Sequence, residues 1–337
     1  MSLNTAQQTR TATAMHRTVA IQNRTPRVDV NGEIIDCHDG CLRHFEGRFY
    51  LYGTRYGRTD GFTTENQYVC YSSEDLVSWK PHGKLFRDAP EGVYYRPYVV
   101  WNPVTRLYVL WFNWYPKLWE GQLASAVSER PEGPFRPVDP DVKLRGSKPG
   151  DHNLFVDDDG RGYVIYTDIA GHGQGRHAIS IERLTDDFTR STLESSDVLD
   201  RCVEAPAMFK RAGRYYAVFG HTCCFGPEGA DARVFLAERP LGPYRKIGDL
   251  NRDEQGKIVV PGQQTDIACI PGSDGPQFLW IADLWGSRPD GIKGHDLQYW
   301  SPPLEFEADG SIRPMTRSDA FELMLRLGDR DAKPATC

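Results

Sequence analysis

The chain repeats one pattern of polar turns and short apolar runs five times. Each unit opens with a turn containing Gly or Arg, followed by an aromatic residue and a run rich in apolar and β-branched residues. Such runs, bounded by turn residues, are typical of buried β-strands. The repeats begin about 50–60 residues apart, which indicates a repeat architecture. The five runs are GRFYLYGT from Gly47, TRLYVLWFN from Thr105, GRGYVIYTD from Gly160, GRYYAVFGH from Gly213 and GPQFLWIAD from Gly275.

Further strands follow most of these runs. A second segment of small and apolar residues, such as QYVCYSSED or RVFLAERPL, comes next, and several units end in a turn and strand such as SWKPHG or GPYRKIG. No stretch predicts a long amphipathic helix. About four strands repeated five times favour an all-β fold, a five-bladed β-propeller, because radial repetition leaves few exposed edges. A two-sheet sandwich or jelly roll explains the period less well.

The pattern also predicts the domain organisation. We expect residues 26–330 to form a single propeller domain and the polar residues 1–25 to be a poorly ordered N-terminal segment. The segment EFEADGSIRPM, from Glu305, is expected to finish the last blade or to form a closing strand, with residues 28–35 as its partner.

Composition narrows the choice of ligand. The net charge is −6 without a long basic run, which argues against nucleic acid, and no apolar run is long enough to span a membrane. The 8 Trp, 16 Tyr and 15 Phe of a mildly acidic chain suit a neutral, stackable ligand such as a carbohydrate. The N-terminus lacks the apolar region of a secretory signal, so we expect a cytoplasmic protein; a secreted one whose signal is missing from this sequence is the alternative.

The eight cysteines do not suggest a disulfide framework. Most lie in apolar, strand-like segments, where reduced core cysteines are common. Cys37 and Cys41, or Cys223 and Cys224, could bind a metal, but no paired CxxC or HxxxH motif supports a site. We therefore expect no cofactor. The sequence does not indicate an oligomeric state.

Polar residues interrupt the apolar pattern just before each core strand. The segments are DCHDGCL from Asp36, YYRPYVV from Tyr94, GDHNLF from Gly150, VEAPAMF from Val203 and GQQTDI from Gly262. Because the innermost strands of a propeller converge on its axis, equivalent positions should surround one axial pocket. The residues at these positions are Asp39, Tyr95 with Arg96, Asp151, Glu204 and Gln263.

Carboxylates paired in an aromatic-rich pocket suit glycoside cleavage, in which one acid protonates the leaving oxygen and a second carboxylate activates water or attacks carbon. Glu204 lies in an apolar run, and desolvation there would raise the pKa that a general acid needs. Each residue also has a structural alternative. Glu204 could pair with Arg201 or Arg96, and Asp151 could cap the turn at residues 157–160. Asp36 competes with Asp39, and Gln264 with Gln263.

From Val28 to Pro314 the chain resembles glycoside hydrolase family 43, whose members are five-bladed propellers that invert at the anomeric carbon. The segments that carry the resemblance are HDG (38–40) before GRFYLYGT, YSSEDLVSW (71–79), DHNLF (151–155) before DDDG, and EAP (204–206). The resemblance implies Glu204 as general acid, Asp39 as general base and Asp151 as the residue that orients Glu204 and raises its pKa. It also implies an axial cation in some members, for which His295 is the candidate ligand here.

Blades four and five are most similar to the exo-β-1,3-galactanase branch of that family, through EAPAMFKRAGRYYAVFG, GPEGADARVFLAERPLGPY, GQQTD and IADLW. In that branch the base Asp is absent and a Gln of blade five is thought to position the water, a role that falls on Gln263. This chain departs from the branch in having Asp39 where Gly is usual, and Tyr95 where a substrate-binding Glu is usual.

The sequence therefore predicts an inverting, exo-acting glycoside hydrolase for a plant-type oligosaccharide or polysaccharide, with β-1,3-galactan or a related galactoside as the candidate substrate. The alternatives are an α-L-arabinofuranosidase or β-xylosidase of the same family, and a carbohydrate-binding propeller without activity. An Asp39 that faces the pocket favours an enzyme, and one buried in a blade salt bridge favours a binder. The expected substrate-binding residues are Gln263, Tyr95, Arg96, Trp285, Trp114 and His221. Blade packing explains the two tryptophans nearly as well, and a hydrogen-bonded structural role is the better explanation for His221.

Overall fold

The computed structural model describes residues 15–89, 91–118, 120–170, 177–222 and 225–327, and they form five antiparallel sheets. Strand β1 (Met15–Gln22) precedes the blades. Blade one contains β2 (His38–Phe45), β3 (Arg48–Arg55), β4 (Gln67–Ser73) and β5 (Lys80–Lys84); blade two contains β6 (Val93–Asn102), β7 (Leu107–Tyr115), β8 (Leu123–Ser128) and β9 (Arg136–Asp139). Blade three contains β10 (Pro149–Val156), β11 (Gly162–Asp168), β12 (Ala178–Leu184), β13 (Ser191–Ser195) and β14 (Asp200–Arg201).

Blade four contains β15 (Val203–Arg211), β16 (Arg214–His221), β17 (Arg233–Ala237) and β18 (Arg245–Asp249). Blade five contains β19 (Gln263–Gly272), β20 (Gly275–Leu284) and β21 (Leu297–Trp300), and β22 (Ala320–Leu327) joins its sheet beside β19. Two 3-10 turns, Pro227–Ala230 and Lys293–His295, are the only helical elements of the described residues, and neither could span a membrane.

The five innermost strands form a closed ring. Each first strand of a blade contacts the first strand of the next, and β19 of blade five contacts β2 of blade one. The predicted all-β, five-bladed propeller is therefore confirmed. The five core runs that the sequence pattern marked correspond to β3, β7, β11, β16 and β20.

Buried side chains fill the gaps between neighbouring blades. One apolar cluster joins blades one and two, others join blades three and four and blades four and five, and another joins blade five to blade one. Trp79, Trp111, Trp280 and Trp300 are among the largest side chains that are fully buried. Large aromatic side chains bury much apolar area per residue, so these interfaces hold the ring together.

The ring closes through a ribbon that the sequence did not predict. β1 pairs with β22 along its whole length, and Val19 and Ile21 pack with core residues of blades one and five. The expectation of a poorly ordered segment over residues 1–25 is thus wrong from Met15 onward, because alternate residues of β1 are buried; residues 1–14 lie outside the described part. Residues 28–35 are not the closing partner either, since Val28 bridges Ile34 within a local turn.

Every innermost strand carries a β-bulge near its first residues. The pairing register shifts between His38 and Cys41, Tyr95 and Tyr98, Pro149 and His152, Glu204 and Ala207, and Gln264 and Asp266. Asp39, Arg96 and Ala205 adopt positive φ angles of 58°, 49° and 56° at these bulges. Bulges turn side chains out of the regular alternation, so they direct one polar residue of each blade differently from the apolar core.

The cysteines differ in part from the expectation. Cys37, Cys41 and Cys70 are buried free thiols, as expected for core cysteines. Cys269 is disulfide-bonded, so the expectation of reduced core cysteines is wrong at this position.

Candidate active site

The bulged ends of the innermost strands line one pocket on the propeller axis. Asp39, Arg96, Asp151, Glu204 and Gln263, one residue from each blade, all face it. The other residues of its lining are Phe62, Tyr95, Tyr115, Thr167, Ile169, His177 and Phe225. The structure therefore brings together the set of polar residues that the five-fold register marked in the sequence.

Arg96 of blade two links two of the carboxylates. Its Nε lies 2.8 Å from Oδ1 of Asp151, and a terminal nitrogen lies 3.8 Å from Oδ1 of Asp39. The Arg96 side chain is only 2% exposed, so both interactions are largely shielded from water. A buried cation between two carboxylates keeps both in fixed positions and offsets their mutual repulsion.

Glu204 of blade four is buried beside neutral and basic partners. Its Oε1 accepts a hydrogen bond of 3.1 Å from the side-chain amide of Gln263, and its Oε2 lies 3.6 Å from Nδ1 of His177. Arg96, one of the two structural partners considered for Glu204, pairs instead with Asp39 and Asp151. The other, Arg201, has an exposed side chain.

The two adjacent glutamines of blade five have different positions. Gln263 faces the pocket, donates to Glu204 and accepts a hydrogen bond of 3.0 Å from the indole N–H of Trp285. Gln264 points into the blade, where its amide donates to the carbonyl oxygens of Ala205 and Val218 and accepts from Trp280. The structure thus distinguishes Gln263, a pocket residue, from Gln264, a structural one. In the sequence only their position in the repeat could distinguish them.

Asp39 of blade one faces the pocket and is held by several groups. Tyr56 donates a hydrogen bond to its Oδ2, and its backbone N–H donates to Oδ2 of Asp283 at 2.7 Å. A Cβ on the following residue, Gly40, would lie 1.7 Å from the carbonyl oxygen of Tyr52, so the bulge requires glycine there. Asp36, the alternative candidate for the base, instead accepts hydrogen bonds from the backbone N–H groups of Tyr56 and Gly57.

Burial and neighbouring charges shift the pKa values of two of these carboxyls. Burial raises the pKa of Asp151, Arg96 lowers it, and Glu204 and Asp39 raise it, which together bring it to about 6. The pKa of Asp39 is also raised, chiefly by burial, against the lowering effect of Arg96. Asp151 further accepts the backbone N–H of Ala205 at 3.1 Å, so it contacts the chain next to Glu204. It does not cap the turn at residues 157–160, which is closed by a backbone hydrogen bond from Gly160 to Asp157.

An aromatic cluster adjoins the pocket through Phe225, whereas Trp285, an expected binding residue, is not part of the lining. The rings of Phe225 and Trp285 lie 5.0 Å apart, and Trp285 also packs edge-on against Tyr56 at 5.4 Å. Lys293 places its Nζ 3.5 Å above Phe225 and 4.1 Å above Trp285. This cluster holds the indole that fixes Gln263.

The remaining expected binding residues have varied positions. Tyr95 lines the pocket and donates a hydrogen bond of 2.8 Å to the carbonyl of Gly61. Trp114 packs at the edge of the core between blades one and two and donates to the carbonyl of Glu91, so its position gives no support for stacking on a sugar. His221 pairs in the sheet with Val203, the residue before Glu204. It is not part of the pocket lining.

His295 is not placed for an axial cation. Its Nδ1 lies 2.9 Å from Asp290 in the connection between β20 and β21. Across the described residues, no group of three or more His, Cys, Asp or Glu side chains is arranged to hold a metal ion. The absence of a cofactor stays a prediction.

Comparison with known proteins decides the family. The model of glycosyl hydrolases family 43 matches residues 53–268, which is more than half of the chain. The chain belongs to glycosyl hydrolase family 43. This family-43 hydrolase has no match among curated protein sequences.

Solved structures share the fold of this family-43 hydrolase. A family-43 β-1,3-galactosidase crystallised with galactodeoxynojirimycin is 24% identical, with a TM-score of 0.73, and the alignment covers 89% of this chain and 99% of that one. The exo-β-1,3-galactanase of Clostridium thermocellum is 25% identical, with a TM-score of 0.74 over 89% of this chain and 66% of its own. That of Phanerochaete chrysosporium, in complex with galactose, is 21% identical, with a TM-score of 0.76 over 95% and 71% of the two chains.

Several residues at the site of the family-43 hydrolase were missed in the sequence. Phe62, His177 and Phe225 lie in connections between strands, where the repeat pattern of core strands gives no signal. Tyr56 follows β3, and Asp283 lies at the far end of a core strand. Asp283 was visible as a charge after the apolar run FLWIA, the same kind of interruption that revealed Glu204.

Proposed function

We propose that this glycoside hydrolase is an inverting, exo-acting enzyme that removes galactose from β-1,3-linked galactosides. The observation that carries the proposal is that Glu204, Asp39 and Asp151, from three different blades, line a single axial pocket. Glycosidic cleavage needs an acid and a base on opposite sides of one sugar ring, and a ring of blades presents carboxylates from several directions.

Glu204 is the proposed general acid. The contacts from Gln263 and His177 fix both of its carboxyl oxygens, and burial excludes water that could compete for its proton. In the reaction, the carboxyl proton of Glu204 passes to the glycosidic oxygen as the bond to the anomeric carbon breaks. His177 and Gln263 then stabilise the carboxylate that remains.

Asp39 is the proposed general base. It would accept a proton from a water molecule that attacks the anomeric carbon from the face opposite to Glu204, with Gln263 helping to place that water or the sugar. An inverting reaction requires about 6.5–9.5 Å between the two carboxyl groups, which leaves room for the water. Tyr56 and Arg96 hold the carboxylate of Asp39 at the pocket wall.

Asp151 is the proposed modulator of Glu204. Its hydrogen bond from the N–H of Ala205 ties it to the strand that carries Glu204, so it fixes the backbone beside the acid. Arg96 compensates part of the negative charge of Asp151, which lets this residue remain close to the other two carboxyls.

The pocket also supports an exo mode of action and a galactose substrate. Phe62, Tyr95, Tyr115 and Phe225 form aromatic walls around the carboxylates, and aromatic rings pack well on the apolar faces of sugars. Structures that share the fold contain galactose or β-1,3-galactotriose. A walled pocket of this kind suits the terminal residue of a chain.

The test is a substrate panel with the first product followed by NMR. β-1,3-Galactobiose and galactotriose, an aryl β-galactoside, an aryl α-L-arabinofuranoside and an aryl β-xyloside would be compared. We expect turnover of the galactosides with α-galactose as the first anomer formed. Faster turnover of the arabinofuranoside or xyloside would assign the alternative substrate, and β-galactose as the first anomer would rule out inversion.

Variants test the role of Glu204 in the same assay. Glu204→Gln keeps the shape but has no proton to donate, so kcat should fall by about 10²–10⁴-fold on substrates with poor leaving groups. Glu194→Gln, a change on the exposed strand β13, should retain full activity. Unchanged activity in Glu204→Gln, with the fold verified by thermal melting, would refute the assignment.

A further inference from the structure

A buried ion pair lies directly behind Asp39. Nδ1 of His38 is 2.8 Å from Oδ1 of Asp283, and the other oxygen of Asp283 accepts the backbone N–H of Asp39 at 2.7 Å. The side chains of His38 and Asp283 are fully buried. One carboxylate of blade five therefore holds two consecutive residues of blade one.

His38 is charged in this arrangement. Its Nε2 lies 3.4 Å from the carbonyl oxygen of Gly294, so both ring nitrogens face hydrogen-bond acceptors. Burial lowers the pKa of His38, but Asp283 and Asp36 outweigh it and raise that pKa to about 9. An imidazolium that donates from both nitrogens fixes the orientation of Asp283, and with it the acceptor for Asp39.

Asp39 needs such support because its backbone is in an unfavourable conformation. Its φ angle is 58°, in the left-handed region that non-glycine residues rarely occupy, and it lies in the bulge of β2. Conformations of this kind persist where the surrounding structure over-determines them. Here the N–H of Asp39 depends on Asp283 for its acceptor, so a change that loosens Asp283 also loosens the bulge.

We propose that His38 and Asp283 are positioning residues that hold the carboxylate of Asp39 in its reactive place by fixing its backbone from the neighbouring blade. The proposal rests on the proposed function, in which Asp39 is the general base. Neither residue is part of the pocket lining, and the hydrogen bond from the N–H of Asp39 to Asp283 is their direct link to the base.

The primary variant is Asp283→Asn. An asparagine at this position has one acceptor oxygen instead of two and carries no charge, so His38 loses the partner that keeps its ring charged, and the side chain that accepts from the N–H of Asp39 is no longer held in one orientation. Displacement of the base should lower kcat by about 10²-fold, with KM changed by less than about twofold, because the base acts on the transition state rather than on substrate binding.

A matched control lies in the same blade. Asp296 is a buried aspartate that accepts the backbone N–H of Gly286 and is not in contact with Asp39. Asp296→Asn should leave kcat within about twofold of the wild-type value, since its effect is confined to local stability. An equal loss of kcat in the two variants would mean that the effect is general destabilisation.

A double-mutant cycle with Asp39→Asn decides between positioning and structure. If Asp283 acts through Asp39, then Asp283→Asn should cause little further loss of kcat once Asp39 has been replaced. A full additional loss in the Asp39→Asn background would overturn the proposal, and would instead indicate an effect through Gln263, which pairs with Asp283 in the sheet.

A second variant covers failure of Asp283→Asn to fold. His38→Asn retains a donor near the position of Nδ1 but loses the charge, so it should show a smaller loss of kcat that also vanishes in the Asp39→Asn background. Wild-type kcat in His38→Asn, with Asp39→Asn impaired, would overturn the proposal. Wild-type kcat in Asp39→Asn would instead show that the proposed function is wrong about the general base. Failure of the proposed function is distinguishable, because it would show as full activity of Glu204→Gln.

Discussion

Nε of Arg96 lies 2.8 Å from Oδ1 of Asp151, although the two residues belong to different blades. The same guanidinium lies 3.8 Å from Asp39, so one buried cation serves two carboxylates of the site. A planar guanidinium presents several N–H groups in fixed directions, which lets it contact two partners at once. Arg96 therefore couples the electrostatics of blades one, two and three.

Replacement of Arg96 by Met should lower stability strongly. Loss of the cation leaves two buried carboxylates unpaired, at a cost of about 3–5 kcal/mol in the free energy of unfolding. Arg96 lowers the pKa of both carboxyls, so its removal raises both values in the folded state. The loss should then be largest at neutral and alkaline pH and smaller as the pH falls and the carboxyls become protonated.

Urea denaturation of Arg96→Met between pH 4 and 8 would measure this effect, within the pH range where the wild type is folded. Arg96→Lys keeps the charge but has fewer directed donors, so it should lose less stability than the methionine variant. A destabilisation that is independent of pH would contradict the pairing with Asp39 and Asp151.

The pH profile should depend on Asp151. Its pKa is raised to about 6, so it is protonated below that pH and loses the charge that pairs with Arg96. We expect kcat/KM to decrease as the pH falls and Asp39, the proposed base whose pKa is also raised, takes up a proton. Asp151→Asn removes a neighbouring negative charge and should shift this limb to lower pH. Asp159→Asn, in the exposed turn of the same blade, should retain the wild-type limb.

The adjacent residues Gln263 and Gln264 should give opposite results. Gln263→Ala removes a contact to Glu204 and should mainly lower kcat. Gln264→Ala leaves two buried carbonyl oxygens and the indole N–H of Trp280 without their partner, which should cost about 2–4 kcal/mol of stability. Kinetics and thermal melting of both variants would show the contrast, and equal stability losses would contradict it.

The closing ribbon should be sensitive to the buried face of β1. Ile21 is 3% exposed and packs in the cluster between blades one and five, so Ile21→Ala should destabilise the fold by about 2–4 kcal/mol. Thr18→Ala, on the exposed face of the same strand, is the matched control and should change stability by less than about 0.5 kcal/mol. Similar melting temperatures for both variants would mean that β1 does not close the ring.

The sequence was sufficient to predict the five-fold repeat and the polar residues at one equivalent position of each repeat. Asp39, Asp151, Glu204 and Gln263 occupy the same place in successive repeats, and a ring of repeats necessarily brings such positions together. A polar residue that interrupts an apolar run, as Glu204 does, also marked which position of the repeat faces the pocket. The periodicity gave no information about residues that follow a strand or lie in a connection, such as Tyr56 and Phe225.

Other differences have physical causes. All nine residues of β7 are apolar or aromatic except Asn113, so no alternation showed that Trp114 points away from the axis while Tyr115 faces the pocket. The signal of β1 was weak because, over residues 16–22, Val19 and Ile21 are the only buried side chains in a polar stretch. Its partner β22 is about 300 residues away along the chain, beyond any local pattern.

The repeated bulge separates two demands that one strand must meet. After the bulge, along the chain, the side chains of each innermost strand alternate regularly between its two faces. Packing between the neighbouring blades depends on this alternation. At the bulge, the extra residue lets a polar side chain turn toward the propeller axis without a change in the positions of the core side chains. A substitution at that one residue can thus alter the chemistry of the site without changing the alternation of the core residues that follow. Each of the five blades supplies its site residues independently of the others. Members of such a fold can therefore diverge in reaction or substrate through changes in one blade at a time.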